Sequence, residues 1–143
     1  MDASSPAVQA IERILHEGFA AGNTDVVDEV CAPDIVEHQF GLAGRGSEAI
    51  AKLKQGITLV HTAFPDLRFV VEDAVTDGDI AWVRAVGSGT NTGPFLGAPT
   101  NVPVRFTVFD VARVVDGRIT EHWGVPDRFE VLTRLGRFEQ PRE

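Results

Sequence analysis

DGRITEHWGVPD, residues 116–127, is the most informative stretch of the chain. It opens with Asp-Gly, a dipeptide that readily forms the two-residue turn of a β-hairpin, and then alternates as a strand does. It ends by placing Asp127 after a tryptophan and beside a proline, where the strand stops. An acid among apolar and aromatic side chains can have its pKa raised into the range useful for proton transfer. The stretch therefore predicts a hairpin that ends at a candidate general acid or base.

The Asp-Gly turn also predicts the register of the two strands that flank it. With a two-residue turn, Asp110 lies opposite Trp123 and Phe106 lies opposite Asp127. The two predicted faces are then Phe106, Val108, Asp110, Ala112, Val114, Ile119, Glu121, Trp123, Val125 and Asp127 on one side, and Arg105, Thr107, Phe109, Val111, Arg113, Thr120, His122 and Gly124 on the other.

The first of these faces is mostly apolar, yet it carries the three acids Asp110, Glu121 and Asp127. A core face without a function has little reason to bury three carboxylates. Asp110 and Asp127 would lie four positions apart, roughly 13 Å at about 3.3 Å per residue. They could therefore flank one substrate but not share a proton. The second face, with arginines beside Phe109 and Val111, is predicted to be either solvent-exposed or a subunit interface.

The rest of the chain places helices before strands, an order typical of an α+β fold. Apolar residues recur at helical spacing in the first half and alternate in the second half. Predicted helices cover residues 6–22, 24–31, 47–64 and 128–136, with Ser5-Pro6, Thr24 and Ser47 as start signals, and predicted extended segments cover 34–38, 67–75, 80–89, 103–115 and 119–125, with a loop at 88–101.

The composition fits one soluble domain over residues 1–143. A formal net charge of -8 and a pI of about 4.9 argue against nucleic acid or an anionic membrane as the main partner. Residues 1–6 lack the features of a signal peptide, and no apolar run reaches the ~18 residues of a membrane span. Cys31 is the single cysteine, so no internal disulfide can form, which fits a cytoplasmic protein. We expect Cys31 to be a small core residue.

Six short segments carry a common pattern in order along the chain. They are AGN (21–23), APD with VEH (32–38), AFPDL (63–67), DGD (77–79), GTNTGPFLG (89–97) and the stretch 116–127. Together they resemble the SnoaL-like polyketide cyclases, a family of the nuclear-transport-factor-like α+β cone superfamily. The resemblance covers nearly the whole chain.

The resemblance implies a cone-shaped barrel, in which a curved mixed or antiparallel sheet and N-terminal helices packed on one face enclose a mostly apolar pocket. It also implies an enzyme, a lyase or isomerase that closes a ring by intramolecular aldol chemistry without metal or organic cofactor. The substrate would be a small hydrophobic, ketone-bearing, polyketide-like metabolite. Asp127 matches the aspartate that serves this family as acid and base. Asn91 stands where the loop often has histidine, and an amide can orient a ligand but cannot transfer a proton.

Two aspartates have alternative roles. Asp127 could instead be the N-cap of the helix that follows it, a common use of aspartate after proline. Asp110 is predicted to hydrogen-bond substrate or a pocket water, or to pair with an arginine, for which Arg84 and Arg113 are the candidates.

Aromatic and imidazole side chains complete the predicted site. Phe64, Trp82 and Trp123 are predicted to contact substrate in the pocket. His38 is predicted to line the pocket near its open end, whereas the register places His122 on the opposite face. No metal site is predicted, because the closest grouping of ligand-type residues, Asp34 to His38, is weak evidence alone.

Two other classes of function remain open on the sequence. An epoxide hydrolase or hydroxylase-like enzyme of the same superfamily would need an Asp-Arg-Asp set, for which Asp110, Asp127 and either Arg84 or Arg113 supply the residue types. The chain has no tyrosine, which weakens a steroid-isomerase interpretation. A non-catalytic ligand-binding or dimerisation module is the remaining alternative. A homodimer through the outer sheet face is compatible with each of them.

Overall fold

Four α-helices and six β-strands follow one another along residues 5–138, the part of the chain described by this computed structural model. The helices are α1 (Pro6–Arg13), α2 (Asp25–Val30), α3 (Gly46–Ala63) and α4 (Arg128–Arg134), and a π-helix (Ile14–Ala20) continues α1 without a break. The strands are β1 (Cys31–Glu37), β2 (Gly44–Arg45), β3 (Arg68–Asp77), β4 (Ile80–Thr90), β5 (Pro103–Val115) and β6 (Arg118–Pro126). Among these residues, no helix is both long and apolar enough to cross a membrane.

The strands form one mixed sheet in the order β2-β1-β6-β5-β4-β3. Only the β1–β6 pair is parallel, and the other neighbours run antiparallel. The sheet is curved and open between its edge strands β2 and β3, and the helices pack on one side of it. The predicted α+β class, with a curved mixed sheet and helices on one face, is confirmed.

The N-terminal helix begins as its sequence predicts and ends differently. The Ser5 hydroxyl accepts a hydrogen bond from the Val8 amide at 3.1 Å, and Pro6 occupies the first turn. One α-helix was expected over residues 6–22, but from Ile14 the backbone widens into a π-helix that ends at Ala20. Widened turns of this kind are frequent beside functional sites, and this one lies against the cavity described below.

Two predicted boundaries in the first half are wrong. α2 ends at Val30, and β1 already begins at Cys31, because this residue pairs with Ile119 on the parallel neighbour β6. Ser47 does not cap α3. That helix begins at Gly46, which adopts a φ of +57°, and the N-cap position belongs to Arg45, whose side chain makes no capping bond.

The hydrophobic core fills the space between the helices and the inner face of the sheet. Its fully buried side chains come from every layer, including Ile11 of α1, Ile57 of α3 and Ile119 of β6. The helix α3 contributes Leu53 and Ile57, both buried. Burial of this apolar surface, at roughly 25 cal/mol per Å², is the main term that holds the helices on the sheet.

A β-bulge at Thr120 corrects the predicted register of the last hairpin. The Asp116-Gly117 turn forms, with positive φ at both residues, and Val114 pairs with Ile119 as expected. Arg113 then pairs with Glu121, so Thr120 is an extra residue whose hydroxyl donates to the Arg113 carbonyl at 3.3 Å. An extra residue shifts the register by one and moves every later side chain to the other face.

The bulge changes where the acids, His122 and Trp123 lie. Asp110 lies opposite Gly124 rather than Trp123, and the Asp127 amide donates to the Thr107 carbonyl, so neither predicted pairing forms. The prediction that Trp123 faces inward and His122 outward is therefore wrong, because their positions are exchanged. Of the three acids expected on the inner face, only Asp110 is buried there.

Candidate active site

A cavity of about 390 Å³ lies between the inner face of the sheet and the helices. Its wall is built mainly by aliphatic and aromatic side chains of the π-helix, α3, β5, β6 and α4. The ionisable and amide side chains on its wall, apart from the Cys31 thiol, are Glu37, Gln39, Asp110, His122 and Arg128. A pocket that is mostly apolar with a few placed polar groups is the usual form of a small-molecule site.

Three of these polar residues form one hydrogen-bonded set across neighbouring strands. The His122 imidazole on β6 places Nδ1 2.7 Å from Glu37 Oε2 on β1 and Nε2 2.8 Å from Asp110 Oδ1 on β5. Glu37 and Asp110 are 3% and 6% exposed, so the set is almost fully shielded from solvent. The bulge at Thr120 makes it possible, because it turns His122 toward the two acids.

Backbone amides fix the outer end of this set. The Glu37 carboxylate accepts hydrogen bonds from the amides of His38 and Gln39, both at 3.1 Å. These contacts hold the Glu37 carboxylate while it binds the imidazole, and they supply partners for oxygen atoms that burial would otherwise leave unpaired. Glu37 therefore orients His122, which in turn orients Asp110.

The two carboxylates keep the imidazole charged. Burial alone lowers the pKa of His122, but its hydrogen bonds to Asp110 and Glu37, together with their negative charges, outweigh burial and raise the pKa from 6.5 to about 10. Both ring nitrogens then donate at neutral pH. The set carries two carboxylates and one imidazolium, a buried arrangement that is tolerable only because each charge has a hydrogen-bonded partner.

Cys31 also lies on the cavity wall, on the same strand as Glu37. Desolvation, followed by the negative charges of Glu37 and Asp28, raises the pKa of this thiol to about 12. The reactive form of cysteine is the thiolate, so this side chain is inert at neutral pH. The predicted role of Cys31 as a small buried core residue is confirmed.

Gly124 leaves room for two of the polar side chains. A Cβ atom at this position would lie 2.1 Å from Gln39 Oε1 and 2.9 Å from Asp110 Oδ1. Gly124 sits directly opposite Asp110 in the sheet and is buried. The absence of a side chain here is thus what allows Gln39 and Asp110 to approach each other on the cavity wall.

Two of the predicted site residues lie on the cavity wall. They are Phe64, which packs edge-on against Phe95 at 5.5 Å, and Asp110. Their part in ligand binding stays a prediction. The arginine partner expected for Asp110 is wrong: its partner is His122, while Arg84 pairs with Asp73 and Arg113 with Asp79.

Three predicted pocket residues lie on the outer face of the sheet instead. Trp123 stacks on His38 with ring centroids 4.7 Å apart, and His38 Nε2 lies 2.7 Å from Glu121 Oε2. This pair lines a separate shallow groove. Trp82 is 57% exposed on β4, on the same outer face. Their predicted place in the pocket is wrong. The prediction assumed a register without the bulge, and for Trp82 it took alternation alone as a sign of the inner face. The homodimer through this face stays a prediction.

Asn91 and Asp127 have structural contacts outside the cavity wall. Asn91 is fully buried, and its amide donates to the carbonyls of Ala63 and Gly93 while its oxygen accepts from Thr100, so it ties the loop to α3. Asp127 is exposed, and its carboxylate accepts from the Glu130 amide at 3.0 Å as the N-cap of α4. The prediction that Asp127 faces the apolar pocket is wrong. Its catalytic role stays a prediction.

Sequence reasoning missed Glu37, Gln39 and Arg128 and placed His122 on the wrong face. A signal for Glu37 was available, because it follows Ile35 by two residues in an extended segment and so shares its inward face. The orientation of His122 carried no such signal, since it depends on a bulge that neither turn chemistry nor alternation reveals.

Comparisons with known proteins agree with this architecture. A family model described as SnoaL-like polyketide cyclase matches residues 9–135. Aklanonic acid methyl ester cyclase DauD from Streptomyces sp. strain C5 is 29% identical over 141 residues, which cover 92% of this chain and 83% of DauD. IdmH from Streptomyces antibioticus, a proposed polyketide cyclase, is 34% identical, with a TM-score of 0.75 over 92% of this chain and 99% of its own. TsrD from Streptomyces laurentii, at 24% identity and a TM-score of 0.79, covers 94% of this chain and 98% of its own and shares the fold.

Proposed function

The chain belongs to the SnoaL-like polyketide cyclase family, and from this premise we propose that it closes a ring in a small hydrophobic, ketone-bearing metabolite, with Asp110 as the acid and base. The observation that carries the proposal is the buried Glu37–His122–Asp110 set on the wall of an otherwise apolar cavity. The similar protein DauD is by name a cyclase, which supports the reaction class. Its named substrate is a methyl ester, which is compatible with an apolar cavity.

The chemistry needs one group that takes a proton and later returns it. Asp110 removes a proton from a carbon next to a carbonyl, and the enolate carbon attacks a second ketone carbon of the same molecule. The new carbon–carbon bond forms as the electron pair of that C=O moves onto its oxygen. Asp110 then returns the proton to this alkoxide. No atom is gained or lost, so the product is an isomer of the substrate.

The neighbours of Asp110 have distinct roles in this proposal. The His122 imidazolium holds one Asp110 oxygen by a hydrogen bond and offsets its charge, and Glu37 keeps His122 in place. Gln39, beside Asp110, supplies an amide that can hydrogen-bond the oxygen on which charge develops. The apolar wall excludes water and holds the chain folded, which lowers the entropic cost of ring closure.

The epoxide hydrolase alternative receives less support. It needs an arginine between two aspartates, and the arginines expected to provide it, Arg84 and Arg113, form exposed ion pairs with Asp73 and Asp79. Asp110 is held by a histidine instead. A purely structural module would also gain little from burying two carboxylates beside a cavity.

Turnover of an aryl poly-β-ketone, followed by separating the cyclised isomer from the open chain, tests the function and the role of Asp127 together. We expect wild type to accelerate ring closure and Asp127→Asn to keep its rate and stability, because asparagine caps a helix as well as aspartate. Asp127→Ala should lose about 1 kcal/mol of unfolding free energy and keep its rate. A strong loss of rate in Asp127→Asn would instead establish Asp127 as the acid and base, and no acceleration by wild type would refute the proposed activity on such substrates.

Gly124→Ala is expected to reduce turnover by on the order of tenfold to a hundredfold, because a catalytic group displaced by about 1 Å can cost that much. The added Cβ would displace the Gln39 amide and crowd Asp110. The loss of stability should be small, since the Gln39 side chain can rotate away. Val125→Ala, the neighbouring exposed position, is the matched control. Equal rates for Gly124→Ala and wild type would show that this spacing is unimportant.

A further inference from the structure

Arg128 occupies an unusual position among the arginines of the structure. It is exposed at the first residue of α4, yet it lies on the wall of the cavity, so it stands where the cavity meets solvent. It also borders the outer groove that contains His38 and Trp123. A cation at the mouth of an apolar cavity has no role in the acid–base chemistry at Asp110.

The Arg128 guanidinium is held in place without being neutralised. One nitrogen donates to the Phe40 carbonyl at 2.6 Å, and the group lies over the Phe40 ring, 5.4 Å from its centre. Within residues 5–138, no carboxylate comes within 4.0 Å of it. Four other arginines of this part of the chain do have such a partner, namely Arg13, Arg84, Arg113 and Arg134. The charge of Arg128 is therefore free to act on a ligand.

Guanidinium chemistry indicates what kind of ligand group would bind. The group stays charged at all relevant pH values and presents five N–H donors in a plane, of which the Phe40 carbonyl uses one. The remaining donors match the two oxygens of a carboxylate, and a charge-assisted pair of this kind is stronger than a neutral hydrogen bond. An ester offers only neutral acceptors and would gain much less.

The charges at the other end of the site give such a ligand a direction. The Glu37–His122–Asp110 set places two acids around one imidazole, so an anionic group is disfavoured there and attracted to Arg128. Asp110 pairs with Gly124, and Arg128 follows Gly124 by four residues, at most about 14 Å of extended chain. A ligand with a ketone near Asp110 and a carboxylate at Arg128 would thus separate the two groups by on the order of 10 Å.

We propose that Arg128 binds a carboxylate at the far end of the substrate from the reacting ketone, and that the protein thereby selects a free acid over its ester. This assignment rests on the proposed function, because Asp110 defines the reacting end. The competing explanation is a purely structural role, in which Arg128 does no more than link Phe40, and with it the segment after β1, to α4. The two roles differ in one measurable respect, since a structural tie does not distinguish an acid from its ester.

The test is calorimetric binding of ω-benzoylheptanoate, which has a phenyl ketone at one end and a carboxylate at the other, compared with its methyl ester. We expect wild type to bind the acid roughly tenfold more tightly than the ester at neutral pH, with the preference falling as salt is added. Arg128→Met should bring the ratio to about one, and Arg128→Lys should keep part of it. Arg134→Met removes the same charge from the same helix, away from the cavity, and should keep the wild-type ratio.

Two results would overturn the proposal: no preference for the acid in wild type, or an unchanged ratio in Arg128→Met. An unchanged ratio with both ligands weakened equally would identify Arg128 as a structural tie only. Binding requires no turnover, so the assay separates this inference from the proposed function. Asp110→Asn should lose ring closure and keep the acid-to-ester ratio, whereas an active Asp110→Asn would refute the role of Asp110 and leave the Arg128 ratio as an independent result.

Discussion

Asp110→Asn is expected to slow ring closure by on the order of 10²–10⁴-fold, the usual contribution of a positioned acid or base. Asparagine has nearly the same shape as aspartate, and its amide oxygen can still accept the hydrogen bond from His122 Nε2. It cannot take up a proton. The change therefore removes proton transfer while it preserves packing on the cavity wall. The measurement is the initial rate at saturating substrate, with thermal unfolding as a check that the variant is folded.

Glu121→Gln is the matched control for Asp110→Asn. It replaces another carboxylate of the same hairpin by its amide, but Glu121 lies on the outer face, where it pairs with His38 and Arg113. We expect less than about a twofold change in its rate, because exposed ion pairs contribute little. If Asp110→Asn kept the wild-type rate, the acid and base would have to be sought elsewhere on the cavity wall, with Glu37 as the next candidate.

The hairpin at residues 116–127 illustrates how far sequence reasoning reaches here. Turn chemistry correctly predicted the Asp116-Gly117 turn, because positive φ at two successive residues favours that dipeptide. The pairing of Val114 with Ile119 follows from the turn. Beyond it, the single extra residue Thr120 reverses all later side chains, and no local rule distinguishes this threonine from its neighbours. The bulge is set by tertiary contacts, which bury His122 between two acids.

Local signals proved more dependable than the assignment of roles. The alternative role given to Asp127, an N-cap after a proline, is the contact that it makes, although the same kind of signal at Ser47 does not cap α3. The cavity wall could not be predicted in the same way. Glu37, Asp110 and His122 lie on three different strands, and the parallel contact of β1 with β6 joins residues far apart in sequence. Such contacts are fixed by topology, which periodicity does not specify.

The buried charges that support the proposed chemistry also lead to a prediction about stability. The His122 pKa rises from 6.5 to about 10 on folding, so between these values the folded protein holds a proton that the unfolded chain releases. The sign follows from this difference. The stabilisation is fully present below pH 6.5, declines above it, and is lost as the pH rises through about 10. Its full size is on the order of 4 to 5 kcal/mol.

We therefore expect the unfolding free energy of wild type to fall by about 1.4 kcal/mol per pH unit, the slope for one proton, or about 2 kcal/mol between roughly pH 7 and 8.5. Denaturant titrations at several pH values measure it. The chain has no tyrosine, and the interval ends below the ordinary thiol pKa of 9.0, which folding raises further, so Cys31 adds little to the slope.

The control is the triple variant Glu37→Gln, Asp110→Asn, His122→Gln, which replaces the three charged groups by amides of similar size. No titrating group is left in the set. The unfolding free energy of this variant should therefore fall by about 2 kcal/mol less than that of wild type over the same interval. If the unfolding free energies of wild type and the triple variant fell equally with pH, that result would contradict a charged His122 in the folded state. The imidazole titration of wild type by nuclear magnetic resonance gives an independent check, because a midpoint near 6.5 rather than about 10 would mean that the two carboxylates do not hold the proton. The proton on His122 would then be available for exchange at neutral pH, and the division of roles that leaves proton transfer to Asp110 would no longer follow from the geometry.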